Sequence, residues 1–314
     1  AYVAIGVTVG AARFTPDGSN PSAMIANAGV ALKNARQARL GSALLFEEAM
    51  NAELRALLHL TARMHKAIEE RAFFLVYQPQ VSLMSGRVVG VEALVRWRDG
   101  NQVVPPDQFI AAAESSGLIL PLGRWVMEAA LGQQRKWRDQ GLRVRVAVNV
   151  STRQLIEDEG FVESVRDALA AHGVEPGDLE LEVTETLVIS DMESGVGRLR
   201  QLREMGVQIA IDDFGTGYSS LGQLRHLPVT RLKIDRVFIQ GLDRDLDDFH
   251  IAELIVRMGQ SLGLSVLAEG VETTAQRDIL EDLHCDEVQG YLYAKPAGPD
   301  ELLPVLRRLG VAAS

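Results

Sequence analysis

The sequence predicts an α/β fold, a TIM-like (β/α)8 barrel with an antiparallel first strand pair. Three observations point there. From Ala72 onward, eight short apolar segments alternate with longer stretches of helical periodicity, which is the rhythm and, at about 240 residues, the size of such a barrel. The polar residues of those segments share one face. The first two segments are joined only by a short turn around Gly86, whereas parallel neighbours need a long crossover. A doubly wound open sheet is the alternative with the same rhythm.

Taken in order, Tyr2 to Ala12 alternates like a strand, and the alanine-rich run Ala23 to Phe46 reads as a helix followed by a short strand. Residues 1–50 are too little for a domain of their own. In residues 51–71, Leu54, Leu57, Leu58, Leu60, Met64 and Ile68 recur at helical spacing and predict a connecting helix. Residues 72–311 form the main body. Its strands are expected at Phe73 to Gln78, Val88 to Val95, Val144 to Val150, Leu179 to Thr184, Val207 to Asp212, Arg231 to Ile234, Ser265 to Glu269 and Glu287 to Leu292. Helices fit between most of them, among them Leu122 to Gln140, Phe161 to His172, Met192 to Met205, Phe249 to Leu262 and Thr274 to Leu283.

Side chains alternate along a strand, so Leu181 and Val183 share one face and Glu180, Glu182 and Thr184 the other. The same parity sets Val146 and Val148 against Ala147 and Asn149, Ile209 and Ile211 against Ala210 and Asp212, and Leu232 and Ile234 against Lys233. With the aliphatic face on the outer helices, Asn149, Glu182, Asp212, Lys233, Glu269 and Gln289 come to the C-terminal ends of strands, where barrel enzymes assemble their sites.

Composition narrows the function. The chain is 47% hydrophobic and 24% charged, close to the average of globular proteins. Forty-two acidic against 32 basic residues give a net charge of -10, which speaks against a nucleic-acid polymer as partner. A small anionic ligand is compatible with that charge where cations offset it locally. The single cysteine, Cys285, excludes an internal disulfide and suits a reducing cytoplasm. There is neither a signal-peptide pattern nor an apolar run of membrane-spanning length. The expectation is a cytoplasmic protein, with any membrane anchor in regions outside this sequence.

Grouping Glu92, Glu182, Asp212, Asp213 and Glu269 around one barrel mouth costs desolvation and mutual repulsion, which a divalent cation relieves. Carboxylate and amide oxygens favour a hard ion, Mg2+ or Mn2+; the six histidines are scattered without zinc-ligand spacing. The adjacent pair Asp212-Asp213 could bridge two ions, as in two-metal hydrolysis of phosphate esters. Taken alone, such a pair is more often a solvated loop or a helix cap. Lys233, on the inward face of its strand, needs an anionic neighbour. The Gly-x-Gly step in Asp213-Phe214-Gly215-Thr216-Gly217-Tyr218 lacks the third glycine of a dinucleotide fold, so a tight loop beside the acids is the better reading. The run Asp243 to Asp248 reads as a solvated loop.

Together these motifs resemble the EAL family of cyclic di-GMP phosphodiesterases. They are Glu92-Ala93-Leu94, Asn149-Val150-Ser151, Glu182-Val183-Thr184-Glu185, Asp212 to Gly217, Lys233-Ile234-Asp235, Ala268 to Glu272 and Gln289-Gly290-Tyr291, over residues 72–311. The resemblance implies hydrolysis of cyclic di-GMP to linear pGpG with Mg2+ or Mn2+, two ions in all. It implies that Glu92, Asn149, Glu182 and Asp212 hold one ion, that Asp212 bridges to a second bound by Asp213, and that Glu269 serves this second site. Lys233 would position and help deprotonate the attacking water. Gln289 would support the water network and, with Gln78, Arg96 and Pro296, the substrate. Glu185 and Glu272 would act behind the ligands, Glu185 by anchoring the loop Asp213 to Ser220.

Residues 1–50 resemble the tail of a GGDEF domain, whose signature is absent from the sequence. The resemblance further suggests a homodimer and sensory domains outside this sequence. The rival function is a catalytically inactive receptor for cyclic di-GMP. A barrel lyase that stabilises an enolate with a metal would also suit strand-end acids, without explaining the ordered motifs.

Overall fold

A computed structural model describes residues 7–13, 20–38, 41–185, 192–216, 224 and 226–311. The chain divides into two compact units, Ala1–Lys66 and Ala67–Ser314. In the first, β1 (Val9–Ala11) runs parallel to β2 (Ala43–Leu45), with α1 (Pro21–Ala38) between them. Gly10 lets the helix lie directly on the strand, since a Cβ there would stand 2.1 Å from the Leu32 nitrogen. Of the strand expected over Tyr2 to Ala12, Val9–Ala11 forms among the described residues, and residues 1–6 lie outside them. Helix α2 (Glu48–Glu69) begins before the expected connecting helix, and the division between the two units falls within it.

The second unit opens with β3 (Phe73–Ser82), β4 (Val88–Asp99) and β5 (Gln102–Val104), followed by α3 (Pro106–Ser116) and α4 (Ile119–Asp139). Then come β6 (Arg145–Val150), α5 (Thr152–Glu157), α6 (Phe161–His172), β7 (Leu179–Thr184), α7 (Met192–Glu204) and β8 (Gln208–Phe214). It ends with β9 (Arg231–Ile234), α8 (Arg236–Gln240), α9 (Leu246–Leu262), β10 (Ser265–Glu269), α10 (Thr274–Asp282), β11 (Glu287–Gln289) and α11 (Pro299–Leu309). Strands β4 and β6 to β11 pair in parallel succession, and β3 closes the ring antiparallel to both β11 and β4. This is the barrel with an antiparallel first pair; the parallel two-stranded sheet belongs to the first unit.

Several elements depart from the expected ones: β3 runs on to Ser82 rather than ending at Gln78, and α9 begins at Leu246, so the last three residues of the run Asp243 to Asp248, read as a loop, are helical. Strand β4 runs on to Asp99 and turns into a hairpin with β5. Strand β11 stops at Gln289 rather than Leu292, because Gly290 lies against Val271, whose carbonyl oxygen would stand 2.0 Å from any Cβ placed there. Among the described residues, no helix is long and apolar enough to cross a membrane.

The parity read from the sequence governs the packing. Val146, Val148, Leu181, Val183, Ile209, Ile211, Leu232 and Ile234 are all buried on the outer, helix-facing side. Inside, the usual aliphatic layers of a barrel give way to buried polar groups, among them Gln80, Glu92, Glu180, Glu182, Arg231, Lys233 and Gln289. Ala210, in register with Glu182 on one neighbour and Arg231 on the other, leaves room for these long side chains. The outward face of β3 carries aromatic packing: Phe73 stacks on Trp97 at 5.8 Å and meets Phe109 at 5.6 Å, and Tyr77 meets Trp137 edge-on at 4.9 Å. Trp137 is 1% exposed, so Trp137→Ala is expected to cost about 3–5 kcal/mol. Urea denaturation followed by the fluorescence of the remaining tryptophans checks this; a midpoint unchanged from wild type would contradict it.

Candidate active site

The C-terminal ends of the barrel strands converge on one fully buried ammonium. Lys233 Nζ on β9 lies 2.7 Å from Glu269 on β10, 2.8 Å from Glu182 on β7, 2.9 Å from Asp212 on β8 and 3.9 Å from Glu92 on β4. Glu92 is held by two amides: Asn149 donates to its Oε1 at 2.8 Å and Gln289 to its Oε2 at 2.5 Å. Gln289 also donates to Gln78 Oε1 at 3.1 Å. The structure thus brings together Glu92, Asn149, Glu182, Asp212, Lys233, Glu269, Gln289 and Gln78.

Asp213 joins them through an irregularity. Neighbours on a regular strand face opposite sides, so Asp212 pointing inward would send Asp213 outward. The β8–β9 register shifts between Ile211 and Phe214, and Asp213 takes the left-handed conformation at φ 53°. Bulges of this kind re-aim side chains, and Asp tolerates the left-handed region better than most residues. As a result, carboxylate oxygens of Asp212, Asp213 and Glu269 lie within 4.8 Å of one another, a cluster able to hold a metal ion.

The charges do not balance within the protein. Four carboxylates surround one ammonium, and Glu182 and Glu269 among them resist ionisation accordingly. Burial, then repulsion from Glu92, raises Glu182 well above the carboxylate range. Burial, then the charges of Asp212 and Glu92, raises Glu269 to about 8 despite Lys233, and burial with Asp212 and Asp235 raises Asp213 to about 7. Burial also pushes Glu92 upward, but Lys233 and the hydrogen bonds from Gln289 and Asn149 outweigh it and bring it below its ordinary value. Burial opposes charge on Lys233, yet Asp212, Glu182, Glu269 and Glu92 raise it well above its ordinary value; it is an ammonium here.

Two further features fit a hard cation. Among the described residues, neither oxygen of Glu182 meets a well-directed hydrogen-bond donor, although Oε2 is close to Lys233, and Gln289 Oε1 is likewise buried without a partner. The surplus of carboxylate and amide oxygens is the donor set that hard divalent cations take.

A cavity of about 590 Å3 opens over these groups, lined by Gln78, Glu92, Arg96, Asp213, Glu269, Glu272, Gln289 and Pro296. Burial lowers the Arg96 guanidinium against the opposing pull of Glu92 and Tyr291. Beside the cavity lies a more apolar one of about 230 Å3, bounded by Leu94, Ile110, Val126, Asn149 and Glu182. Asp235, Arg236 and Tyr291 also line the larger cavity, and reasoning from sequence gave them no role. Asp235 was legible in principle, since it lies two residues beyond Lys233 on the same parity. Arg236 opens α8, and no periodicity marks it.

Glu185 lies just past the end of β7, buried, and its Oε2 accepts from the Gly215 nitrogen at 3.3 Å. Gly217, Tyr218 and Ser219 of the expected loop lie outside the described residues. Cys285 is buried away from this chemistry, donating to the Val266 and Glu287 carbonyls, and burial pushes its thiol up to about 12.

Comparison with known proteins agrees with this geometry. The EAL domain family matches residues 61–296. The chain is similar to the bifunctional diguanylate cyclase/cyclic di-GMP phosphodiesterase MucR of Pseudomonas aeruginosa, 42% identical over 96% of this chain and 44% of that protein. It is also similar to the cyclic di-GMP phosphodiesterase PdeR of Escherichia coli, 37% identical over 92% of this chain and 44% of that protein. The chain therefore spans less than half the length of these relatives. A solved structure of the PaMucR phosphodiesterase in complex with c-di-GMP superimposes with a TM-score of 0.74 at 45% identity, covering 78% of this chain and 99% of that one.

The Glu185 contact yields a direct test. A hydrogen bond to a charged acceptor contributes about 1.5–3 kcal/mol, so Glu185→Ala should speed exchange of the Gly215 amide roughly tenfold or more, while Glu185→Gln largely preserves protection. Hydrogen exchange of the 211–216 segment measures this, and equal rates in all three proteins would remove the anchoring role.

Proposed function

This chain belongs to the EAL domain family, and we propose that it hydrolyses cyclic di-GMP to linear pGpG. The observation that carries the proposal is the convergence of four carboxylates on the buried Lys233 at the barrel mouth, beneath a cavity of about 590 Å3. The names of the similar proteins supply the substrate.

Glu92, Asn149, Glu182 and Asp212 would hold one divalent ion, Mg2+ or Mn2+, and Asp212, Asp213 and Glu269 a second. Two such ions supply Lewis acidity at the phosphodiester and acidify water for an in-line displacement. Lys233, as the ammonium, positions the attacking water and assists its deprotonation through its positive charge, with the carboxylate of Glu269 beside it to take the proton. The water oxygen bonds to phosphorus, the bond to the ribose O3′ breaks, and the displaced oxygen takes a proton, leaving a linear dinucleotide with a 5′-phosphate. Gln78, Arg96 and Pro296 hold the substrate, and Gln289 orders the water network through its free Oε1. The smaller apolar cavity suits a guanine ring. Glu185 steadies the turn at Gly215, and Glu272 supports the site from the cavity wall.

We extend the reading to the rest of the protein. Residues 1–50 are the end of a GGDEF-like module, a reading supported by the bifunctional name of a relative. The relatives are more than twice as long as the matched region, which supports further, signal-receiving segments in the whole protein. It acts in the cytoplasm as a homodimer.

Incubation with cyclic di-GMP and Mg2+ followed by chromatography tests the reaction: pGpG is the expected product, and binding without any linear product would overturn hydrolysis in favour of a receptor. Glu92→Ala is expected to stay folded and lose more activity than the roughly 10- to 100-fold typical of an outer-shell partner; near-normal turnover at limiting Mg2+ would contradict its place among the ligands. Lys233→Ala should lower kcat by about 100- to 10,000-fold, the range of general acid–base catalysis, with a smaller change in KM. An effect confined to KM would remove its role in activating water.

A further inference from the structure

Beneath the acidic mouth, the barrel holds a second polar layer that the reaction above does not use. Arg231 is 2% exposed, and its guanidinium lies 2.8 Å from Glu180 Oε1 and 2.7 Å from Glu287 Oε1. Arg145 approaches the other oxygen of each carboxylate, at 3.7 Å and 3.5 Å. Both arginines donate to Gln80 Oε1 at 3.4 Å. Gly90 makes this possible, since a Cβ there would stand 2.6 Å from Gln80 Oε1. Two cations face two anions, so this layer is neutral within itself, unlike the mouth above it.

The layer joins strands that are not neighbours in the sheet. Main-chain ladders tie each strand to its neighbours, but β7, β9 and β11 alternate around the barrel with β8 and β10 between them. Arg231 on β9 reaches Glu180 on β7 and Glu287 on β11 directly. Inward residues recur every second position, so the next inward residues on these strands are Glu182, Lys233 and Gln289, all members of the mouth. Two residues of strand span only about 6.6 Å at roughly 3.3 Å per residue, too short a stretch to absorb a change of spacing below.

Resting on the hydrolase reading, we propose that Arg231 is a positioning residue for that reaction: by clamping Glu180 and Glu287 it sets the spacing of Glu182, Lys233 and Gln289, and with it the affinity of the mouth for divalent cations. The planar fork of arginine meets two carboxylates at once, whereas the ammonium of lysine is a single point of charge. Arg231→Lys therefore keeps the charge and loses the clamp. A residue that served stability alone would shift the urea midpoint and leave cation affinity and turnover in the folded protein unchanged.

The test uses Arg231→Lys and Glu287→Gln beside the wild type. Mn2+ binding is read from the loss of the free-ion electron paramagnetic resonance signal, turnover of cyclic di-GMP from chromatography, and folding from circular dichroism and urea midpoints. Each folded variant is expected to bind Mn2+ about 10- to 100-fold more weakly, the usual cost of losing an outer-shell partner, and to lose kcat with little change in KM. Folded variants with wild-type Mn2+ affinity and kcat overturn the proposal; so do two variants that both fail to fold, which would make the layer scaffold only. Where Arg231→Lys alone fails to fold, Glu287→Gln decides. A wild type that binds Mn2+ without cutting cyclic di-GMP would sink the hydrolase reading, and the Mn2+ comparison would still judge Arg231.

Discussion

Lys233 is the group on which the rest of the barrel depends. An ammonium with no exposure costs several kcal/mol to desolvate unless partners compensate it, and here the compensation comes from four strands at once. Those partners are themselves buried acids that need the lysine. Each charge is tolerable only in the presence of the others, so the ends of these four strands are tied to one atom. The consequence runs outward. With its interior given to polar groups, the barrel draws its apolar packing from the opposite parity, the Val, Ile and Leu residues against the helices, and from the aromatic cluster on β3.

Charge is distributed unevenly along the barrel axis. The lower layer pairs Arg231 and Arg145 with Glu180 and Glu287 and closes on itself. The upper layer carries four acids on one lysine, with Asp213 and Asp235 close by. The upper layer opens into the cavity of about 590 Å3, while of the lower layer Glu287 borders a separate one of about 430 Å3. The unsatisfied charge is therefore concentrated where a ligand can reach it, and an anionic ligand would be repelled there unless cations intervened. The overall negative charge of the chain points the same way.

Local irregularity supplies what regular strands cannot. Alternation delivers one inward carboxylate per strand end; the bulge at Asp212-Asp213 delivers two. Such a conformation has to be held by its surroundings, and Glu185 does part of this by accepting the amide of Gly215. The acid just beyond β7 thus steadies the turn that the paired acids on β8 require.

The repeat of strand and helix, the parity of each strand and the identity of the strand-end acids were legible in the sequence, because period and residue type are local properties of the chain. That is why Glu92, Asn149, Glu182, Asp212, Lys233, Glu269 and Gln289 can be grouped from the sequence alone. The hairpin of β4 with β5 and the early end of β11 at Gly290 were not legible, since each depends on what the chain meets when the ring closes. Nor was the clamp of Arg231 on Glu180 and Glu287, residues 51 and 56 positions away along the chain. Parity alone placed these side chains inside; only closure of the barrel brought strands two apart within reach of one guanidinium. The same holds for charge: the sequence names the acids, but the opposite shifts of Glu92 and Glu182 follow from burial, from Lys233 and from the amide donors of Gln289 and Asn149 on Glu92, and those distances exist only in the folded ring.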